Sequence, residues 1–242
     1  MEIEKHHFES IDSTNSYAKR EIDSFNPFAL TLITASEQTA GRGRFKRTWV
    51  SPKGLNLYAT FVFFLKMLRD DLGNIPQVLA LSAIKTLHPH LDQLKIKWPN
   101  DLVVGKDKLG GILCEVTQSK WGWGVIAGIG ININMPEEKL KEIDRPATSL
   151  LKESGREFQI ETLSRELAVQ FLGSITLFLL QGFDPFLEDF KKELIHKKND
   201  RLHFNDFQHV VEGSFAGINR DGSLNLLMEN GIIRHCATGE LL

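Results

Sequence analysis

Cysteine is nearly absent from this 242-residue chain: Cys114 and Cys236 lie more than a hundred positions apart, and neither has a second cysteine nearby. That excludes a disulfide framework and a cysteine-based zinc site, and makes a reducing cytoplasm the expected location. Neither sign of charge dominates, with 29 basic against 31 acidic side chains, which argues against a dedicated nucleic-acid binder. The N-terminus, MEIEKHHFESID, lacks the apolar core of a signal peptide. The longest nearly uncharged apolar run, Phe171 to Phe183, is too short and too interrupted to cross a bilayer, so no membrane partner is expected. There is no internal repeat and no low-complexity tract. What is left is an ordinary globular composition, and a length suited to one large domain or a catalytic domain with a small appendage.

Patterning divides the chain in two. Residues 13–22 read as a short helix that Ser13 or Thr14 can cap. ALTLITA (29–35) and NLYATFVFFL (56–65) read as strands, and Pro76–Leu91 has apolar residues at helical spacing. Strands follow at 94–98, 111–117 and 124–133, with 102–104 pairing as a hairpin across a turn opened by Gly105. Residues 160–181 and 185–194 read as helices. After about Lys198 short strands alternate with the turn sequences NRDG and ENG, the mark of a small antiparallel barrel. The expectation is therefore an α+β fold: a mixed sheet flanked by helices over residues 1–196, and a small β-barrel over 197–242.

Four constellations have residue types suited to chemistry. Gly41-Arg42-Gly43-Arg44 follows a strand inside a polar stretch of nineteen residues, 36–54. It is neither a P-loop nor a dinucleotide fingerprint, because the spacing is wrong. Its glycines let backbone N–H groups approach an anion, and its arginines offer planar forks to phosphate or carboxylate. With Lys46, Arg47 and Lys53 it carries five positive charges in twelve residues, so its partner should be polyanionic. Alone, it fits a solvated basic loop or a nucleic-acid patch at least as well. Lys97-Trp98-Pro99-Asn100-Asp101 ends a strand at Pro99 and leaves polar side chains there, either as a site or as a plain turn. Lys108 stands beside Gly110-Gly111 at the start of a strand, able to reach a cleft or simply solvated. Gly128-Ile-Gly-Ile-Asn132 is a strand with two glycines, which costs stability unless something packs closely on it. Asn132 offers the donor and acceptor an adenine edge needs, or is a satisfied buried amide.

Taken together, STN (13–15), Gln38, GRGR…W.SP.G.NLY (41–58), KWPND (97–101), KLGGIL.E (108–115), GIGIN (128–132) and ATSL (147–150) closely resemble biotin–protein ligases in order and spacing. The match spans roughly residues 8 to 150, and the tail GSFAGINRDGSL…GELL is similar to the family's C-terminal barrel. The resemblance implies a class II aminoacyl-tRNA synthetase-like catalytic domain plus a barrel of the Src-homology-3 type. It implies an enzyme that uses ATP with Mg2+ to activate biotin, then attaches it to a lysine of the biotin carboxyl carrier protein of acetyl-CoA carboxylase.

Carried residue by residue, the resemblance puts Ser13, Thr14, Asn15 and Gln38 on the ureido end of biotin, and Gly41, Arg42 and Tyr58 in the same pocket. Gly111 and Leu113 would lie along the valeryl chain. Arg42, Arg44 and Lys108 would carry catalysis by neutralising carboxylate and phosphate. Trp49 would stack on adenine, Asn132 would bond its edge, and Asn100 and Asp101 would lie near the triphosphate and its Mg2+. Loop 38–53 is expected to be disordered until it folds over the adenylate. Many members carry glycine where this chain has Lys46. Others bear an N-terminal DNA-binding domain; here the motifs begin by residue 13, so a monofunctional enzyme that binds no nucleic acid is expected, as monomer or homodimer. The runner-up within the same superfamily is a lipoate or octanoyl transferase.

Overall fold

The computed structural model describes residues 2–242. Seven strands form a first sheet in the order β1-β2-β3-β7-β6-β5-β4. These are β1 (Ile3–Phe8), β2 (Leu30–Ala35), β3 (Asn56–Leu65), β4 (Lys95–Lys97), β5 (Asp101–Val104), β6 (Asp107–Ser119) and β7 (Gly122–Asn132). Only β1 and β2 run parallel, joined through helix α1 (Thr14–Arg20); every other pair is antiparallel. Strand β1 is not among the strands read from sequence. IEKHHF has apolar residues only at its two ends, lies at a sheet edge and buries little, so it lacks the apolar density of β2 and β3.

The central strands bury both faces, which explains the near-continuous apolar run of β3. Leu57, Ala59, Phe61 and Phe63 point one way, toward α2 (Ile75–Leu87) and α5 (Ile160–Gln181), with Val125, Ala127, Ile129 and Ile131 of β7. The opposite face packs α1 at one end only, where Ala18 and Ile22 meet Ile33, Val62 and Ile126. Further along this second face the strands carry Tyr58, Thr60, Gly128, Gly130, Gly111 and Leu113, and the cavity opens there. Two short helices, α3 (Glu137–Leu140) and α4 (Leu150–Ser154), follow β7, and α6 (Leu187–Glu193) follows α5.

Helix α5 corrects one expectation: over its 22 residues it is long and apolar enough, by length and composition, to cross a bilayer. Its Leu163, Leu167, Phe171, Ile175 and Phe178 are nonetheless buried in the core against the first sheet and α2.

The remaining strands are β8 (Arg201–Asn205), β9 (Val210–Ile218), β10 (Leu224–Leu227), β11 (Ile233–Cys236) and β12 (Glu240–Leu241), all antiparallel, in the order β11-β10-β9-β8-β12. β8 was also missed: only Leu202 and Phe204 mark its inward face. The second sheet is anchored by its β9–β10 turn. Asn74 donates to Asp221 O (2.7 Å), while Gln77 and the Trp98 indole both donate to Gly222 O, at 2.9 and 3.1 Å. Gly222 has φ +77°, and a Cβ there would lie 2.2 Å from both Asn74 Nδ2 and Gln77 Oε1. Gly222→Ala should therefore cost more than about 1 kcal/mol. Thermal unfolding checks it, and an unchanged midpoint would mean the turn is not the anchor.

Candidate active site

The site is built on three adjacent strands whose register is continuous. Tyr58 faces Gly130 and Thr60 faces Gly128 on one side of β7; Gly111 and Leu113 face the same two glycines on the other. The two bare positions form a trough, and each is filled from above. A Cβ on Gly128 would lie 2.1 Å from Asn15 Oδ1, and one on Gly130 would lie 2.5 Å from Trp49 Nε1. The cost of two glycines in a strand is thus offset by an amide and an indole seated on the backbone.

Of the residues expected from sequence, Thr14, Asn15, Gln38, Arg42, Arg44, Trp49, Tyr58, Asn100, Asp101, Lys108, Gly111, Leu113 and Asn132 line this one cavity. Ser13 and Gly41 are not among the residues that line it. The Ser13 hydroxyl accepts from Ser16 N and caps α1. Gly41 is a close-approach position, where a Cβ would sit 2.4 Å from Trp49 O. It lets the loop return on itself rather than presenting anything to the cavity.

One wall of the cavity is polar and internally bonded. Gln38 Oε1 accepts from Thr14 N at 2.9 Å, and Gln38 Nε2 donates to Ser51 Oγ at 3.0 Å. Thr60 Oγ1 lies 2.6 Å from Asn15 Oδ1 and 2.8 Å from Thr14 Oγ1. Tyr58 donates its hydroxyl to Pro52 O, and burial raises its pKa.

The other end is cationic. Lys108 Nζ contacts Asp101 Oδ1 at 2.6 Å and sits 5.7 Å from the Trp49 ring. Arg44 donates to Asn100 Oδ1 and to Gly239 O, each at 3.0 Å. Burial lowers the pKa of Arg44, and the carboxylates of Asp101 and Glu240 work against that shift. Burial likewise lowers the pKa of Lys97, with Asp101 opposing and Lys108 adding to the effect. Asn100 is held by its own bond to Ile112 O, and so places Arg44. Asn132 donates to Thr148 O at 3.0 Å and accepts from Asn56.

The basic loop, expected to be disordered until ligand binds, is folded in this structure. Gly43 N donates to Arg47 O and Trp49 N to Gly41 O. Arg47 makes two bonds to Glu240, both 2.7 Å, and the Phe45 ring lies 4.3 Å from that of Phe207. Lys46 has φ +60° and Phe45 φ +56°, a left-handed turn that favours glycine. A glycine would suit the position of Lys46, and this chain closes the turn without one.

The sequence reading singles out Lys97 only as a polar residue at a strand end, and gives no role to Glu115, Thr60, Gly239 or Glu240. Glu115 was findable, since it shares a strand face with Gly111 and Leu113 by simple alternation. Glu240 carried no local signal: its partner Arg47 is 193 residues away.

Near Lys97, His196 Nε2 is buried without a hydrogen-bond partner among the described residues. Burial, reinforced by the Lys97 charge, pushes the His196 pKa from 6.5 down to about 4. The unfolded chain therefore binds the proton more tightly than the fold does. The resulting stability is complete above pH 6.5 and is lost as pH falls toward 4, up to about 3 kcal/mol. Urea midpoints should fall across that window in the native protein and less in His196→Phe; equal falls would exclude His196 as a source.

Comparison with known proteins agrees with this geometry. The profile of the Biotin/lipoate A/B protein ligase family matches residues 7–132. The Escherichia coli bifunctional ligase/repressor BirA is 31% identical over 234 residues, covering 96% of this chain and 71% of that protein. A biotin–[acetyl-CoA-carboxylase] ligase from Paracoccus denitrificans is 37% identical over 131 residues, about half of each chain. Among solved structures, the Aquifex aeolicus biotin protein ligase in complex with biotin and ATP superposes with a TM-score of 0.83 at 27% identity, covering 99% of this chain and 97% of that one.

Proposed function

The chain belongs to the Biotin/lipoate A/B protein ligase family, and within it we propose the biotin branch, with the division of labour set out below. The enzyme is an ATP-dependent biotin–protein ligase. A biotin carboxylate oxygen attacks the α-phosphorus of ATP and the bond to pyrophosphate breaks, leaving biotinyl-5′-AMP. The amine of an acceptor lysine then attacks the acyl carbon, loses its proton, and AMP departs. The observation that carries this reading is the single cavity joining a polar wall to a cationic end across the Gly128–Gly130 trough.

The polar wall of Thr14, Asn15 and Gln38 suits a ureido ring, which presents one acceptor and two donors. Gly111 and Leu113 give the acyl chain a smooth path toward Lys108. Trp49 offers the adenine a face, and Asn132 lies at the same end of β7. Lys108 and Arg44 meet the negative charge that builds on phosphate and acyl oxygen, which is where fixed cations contribute most, and Arg42 stands at the biotin end of the cavity.

Magnesium fits as a companion of the substrate. Among the described residues no group of three or more His, Cys, Asp and Glu side chains forms a cage. Lys108 takes Oδ1 of Asp101, and Oδ2 has no hydrogen-bond partner among the described residues. One carboxylate plus substrate phosphates is the usual way Mg2+ is held, so Asp101 would hold it. When bound, the ion supplies charge neutralisation at the phosphates.

The acceptor is a biotin carboxyl carrier domain, and we place the enzyme in the cytoplasm, where the free Cys114 and Cys236 persist. The test is incubation with Mg·ATP, a carrier domain and either biotin or lipoate. Streptavidin-reactive carrier, with no lipoylated product, is expected; lipoylation alone would move the chain to the other branch of the family.

A further inference from the structure

We infer that Glu115 is a positioning residue that holds Arg42 against the biotin end of the cavity; the inference rests on the ligase reading for its kinetic form, and on the structure alone for its effect on the loop. Glu115 lies on β6, two residues beyond Leu113 on the same strand face, and its side chain is only 17% exposed. A largely buried carboxylate needs partners, and this one draws them from two elements, the loop and α1. Oε1 receives Arg42 from the loop at 3.0 Å and lies 3.8 Å from Lys19 of α1; Oε2 receives Asn15 Nδ2 at 3.3 Å.

These contacts close a circuit. From Arg42 the path runs through Glu115 to Asn15, across Thr60 to Thr14, then through Gln38 and Ser51 to Trp49 O. It begins and ends in the same loop, at a cation beside the biotin subsite and at the backbone carbonyl of Trp49, whose indole lies beside the adenine subsite. The wall that recognises one substrate thus pins both ends of the segment that covers the two. Glu115 is the one full charge in the path facing Arg42, since the other Arg42 contact is the neutral Ser16 hydroxyl at 3.3 Å. Without the carboxylate, the Arg42 guanidinium keeps only that neutral contact among the described residues.

Glu115→Gln preserves shape and an acceptor for Asn15 while removing the charge. Two readouts are needed. Hydrogen exchange of the loop amides donated inside the fold, at Ala40, Gly43, Arg47 and Trp49, should quicken in Glu115→Gln while the global melting midpoint stays put. In biotin-dependent pyrophosphate exchange, KM for biotin should rise on the order of tenfold with kcat within about twofold, the scale of coupling between contacting charges.

The double variant Arg42→Ala/Glu115→Gln should be no worse than Arg42→Ala alone, because Glu115 acts through Arg42. Lys19→Ala, which removes the longer and half-exposed contact, should leave both readouts unchanged. Multiplicative losses in the double variant, unchanged loop exchange in Glu115→Gln, or an equal effect from Lys19→Ala would each overturn the proposal. If the native protein gave no biotin-dependent exchange, the ligase reading would fail, and the hydrogen-exchange result would still decide whether Glu115 holds the loop.

Discussion

Lys108→Ala should bind biotin nearly normally and form adenylate about a hundred- to a thousandfold more slowly, the loss of about 3–4 kcal/mol expected when one well-placed donor to developing charge is removed. The geometry explains why the effect should fall on the chemical step. The Lys108 backbone is fixed on both sides, its N–H donating to Pro146 O and its carbonyl accepting from Thr148 N. Its stem crosses Gly111, where a Cβ would lie 2.9 Å from Lys108 Cε. The ammonium is thus delivered over bare backbone, between the acyl path and the phosphates, with Asp101 holding it at 2.6 Å. Truncation removes the cation and leaves Asp101 unpaired beside the triphosphate, so both changes disfavour the same transition state. Lys108→Arg should not restore the rate, because a guanidinium is a broad planar fork and the position accommodates a point charge. Pyrophosphate exchange measures the first step, and single-turnover transfer from preformed biotinyl-5′-AMP measures the second. A near-normal exchange rate in Lys108→Ala would remove the residue from the chemistry.

Much of this site was legible before any coordinates, but unevenly. The strands β2, β3, β6 and β7 announced themselves because both faces or alternate positions are apolar, and α5 because its apolar residues repeat with helical spacing over 22 residues. The glycines of β7 were legible as positions awaiting a close neighbour, but that the neighbours are Asn15 and Trp49 follows only from tertiary packing. Ser13 shows the opposite difficulty. A serine at the head of a helix can cap it or face a ligand, and local chemistry does not choose; the structure assigns the hydroxyl to Ser16 N. GELL is legible as part of a small barrel, but that it reaches the loop arginines has no local signal. The Glu240 carboxylate and the Gly239 carbonyl meet Arg47 and Arg44 because the β9–β10 turn locks the second sheet onto Asn74, Gln77 and Trp98.

Gly128 and Gly130 of β7 offer the sharpest test of how the cavity is divided, because they are two residues apart and should fail differently. In Gly130→Ala the new methyl would sit 2.5 Å from Trp49 Nε1, 2.6 Å from Cε2 and 2.9 Å from Cζ2. A rigid indole has no flexible end to swing aside. Its backbone has little room to retreat either, since Trp49 N is bonded to Gly41 O and Trp49 O lies where any Cβ on Gly41 would be. The ring must therefore tilt off the strand, taking the adenine platform with it. Overpacking of this kind costs about 1–3 kcal/mol, so KM for ATP should rise about ten- to a hundredfold while biotin affinity changes little. In Gly128→Ala the methyl would meet Asn15 Oδ1 at 2.1 Å instead. That displaces the amide bonded to Leu113 O, at 3.0 Å, and to Glu115. The loss should then appear in KM for biotin, with ATP binding largely kept. Isothermal titration with each ligand separates the two, and melting curves show whether either variant is merely unfolded. If both substitutions weakened the same ligand, the trough would not be shared between two subsites, and the assignment of its ends to biotin and adenine would have to be abandoned.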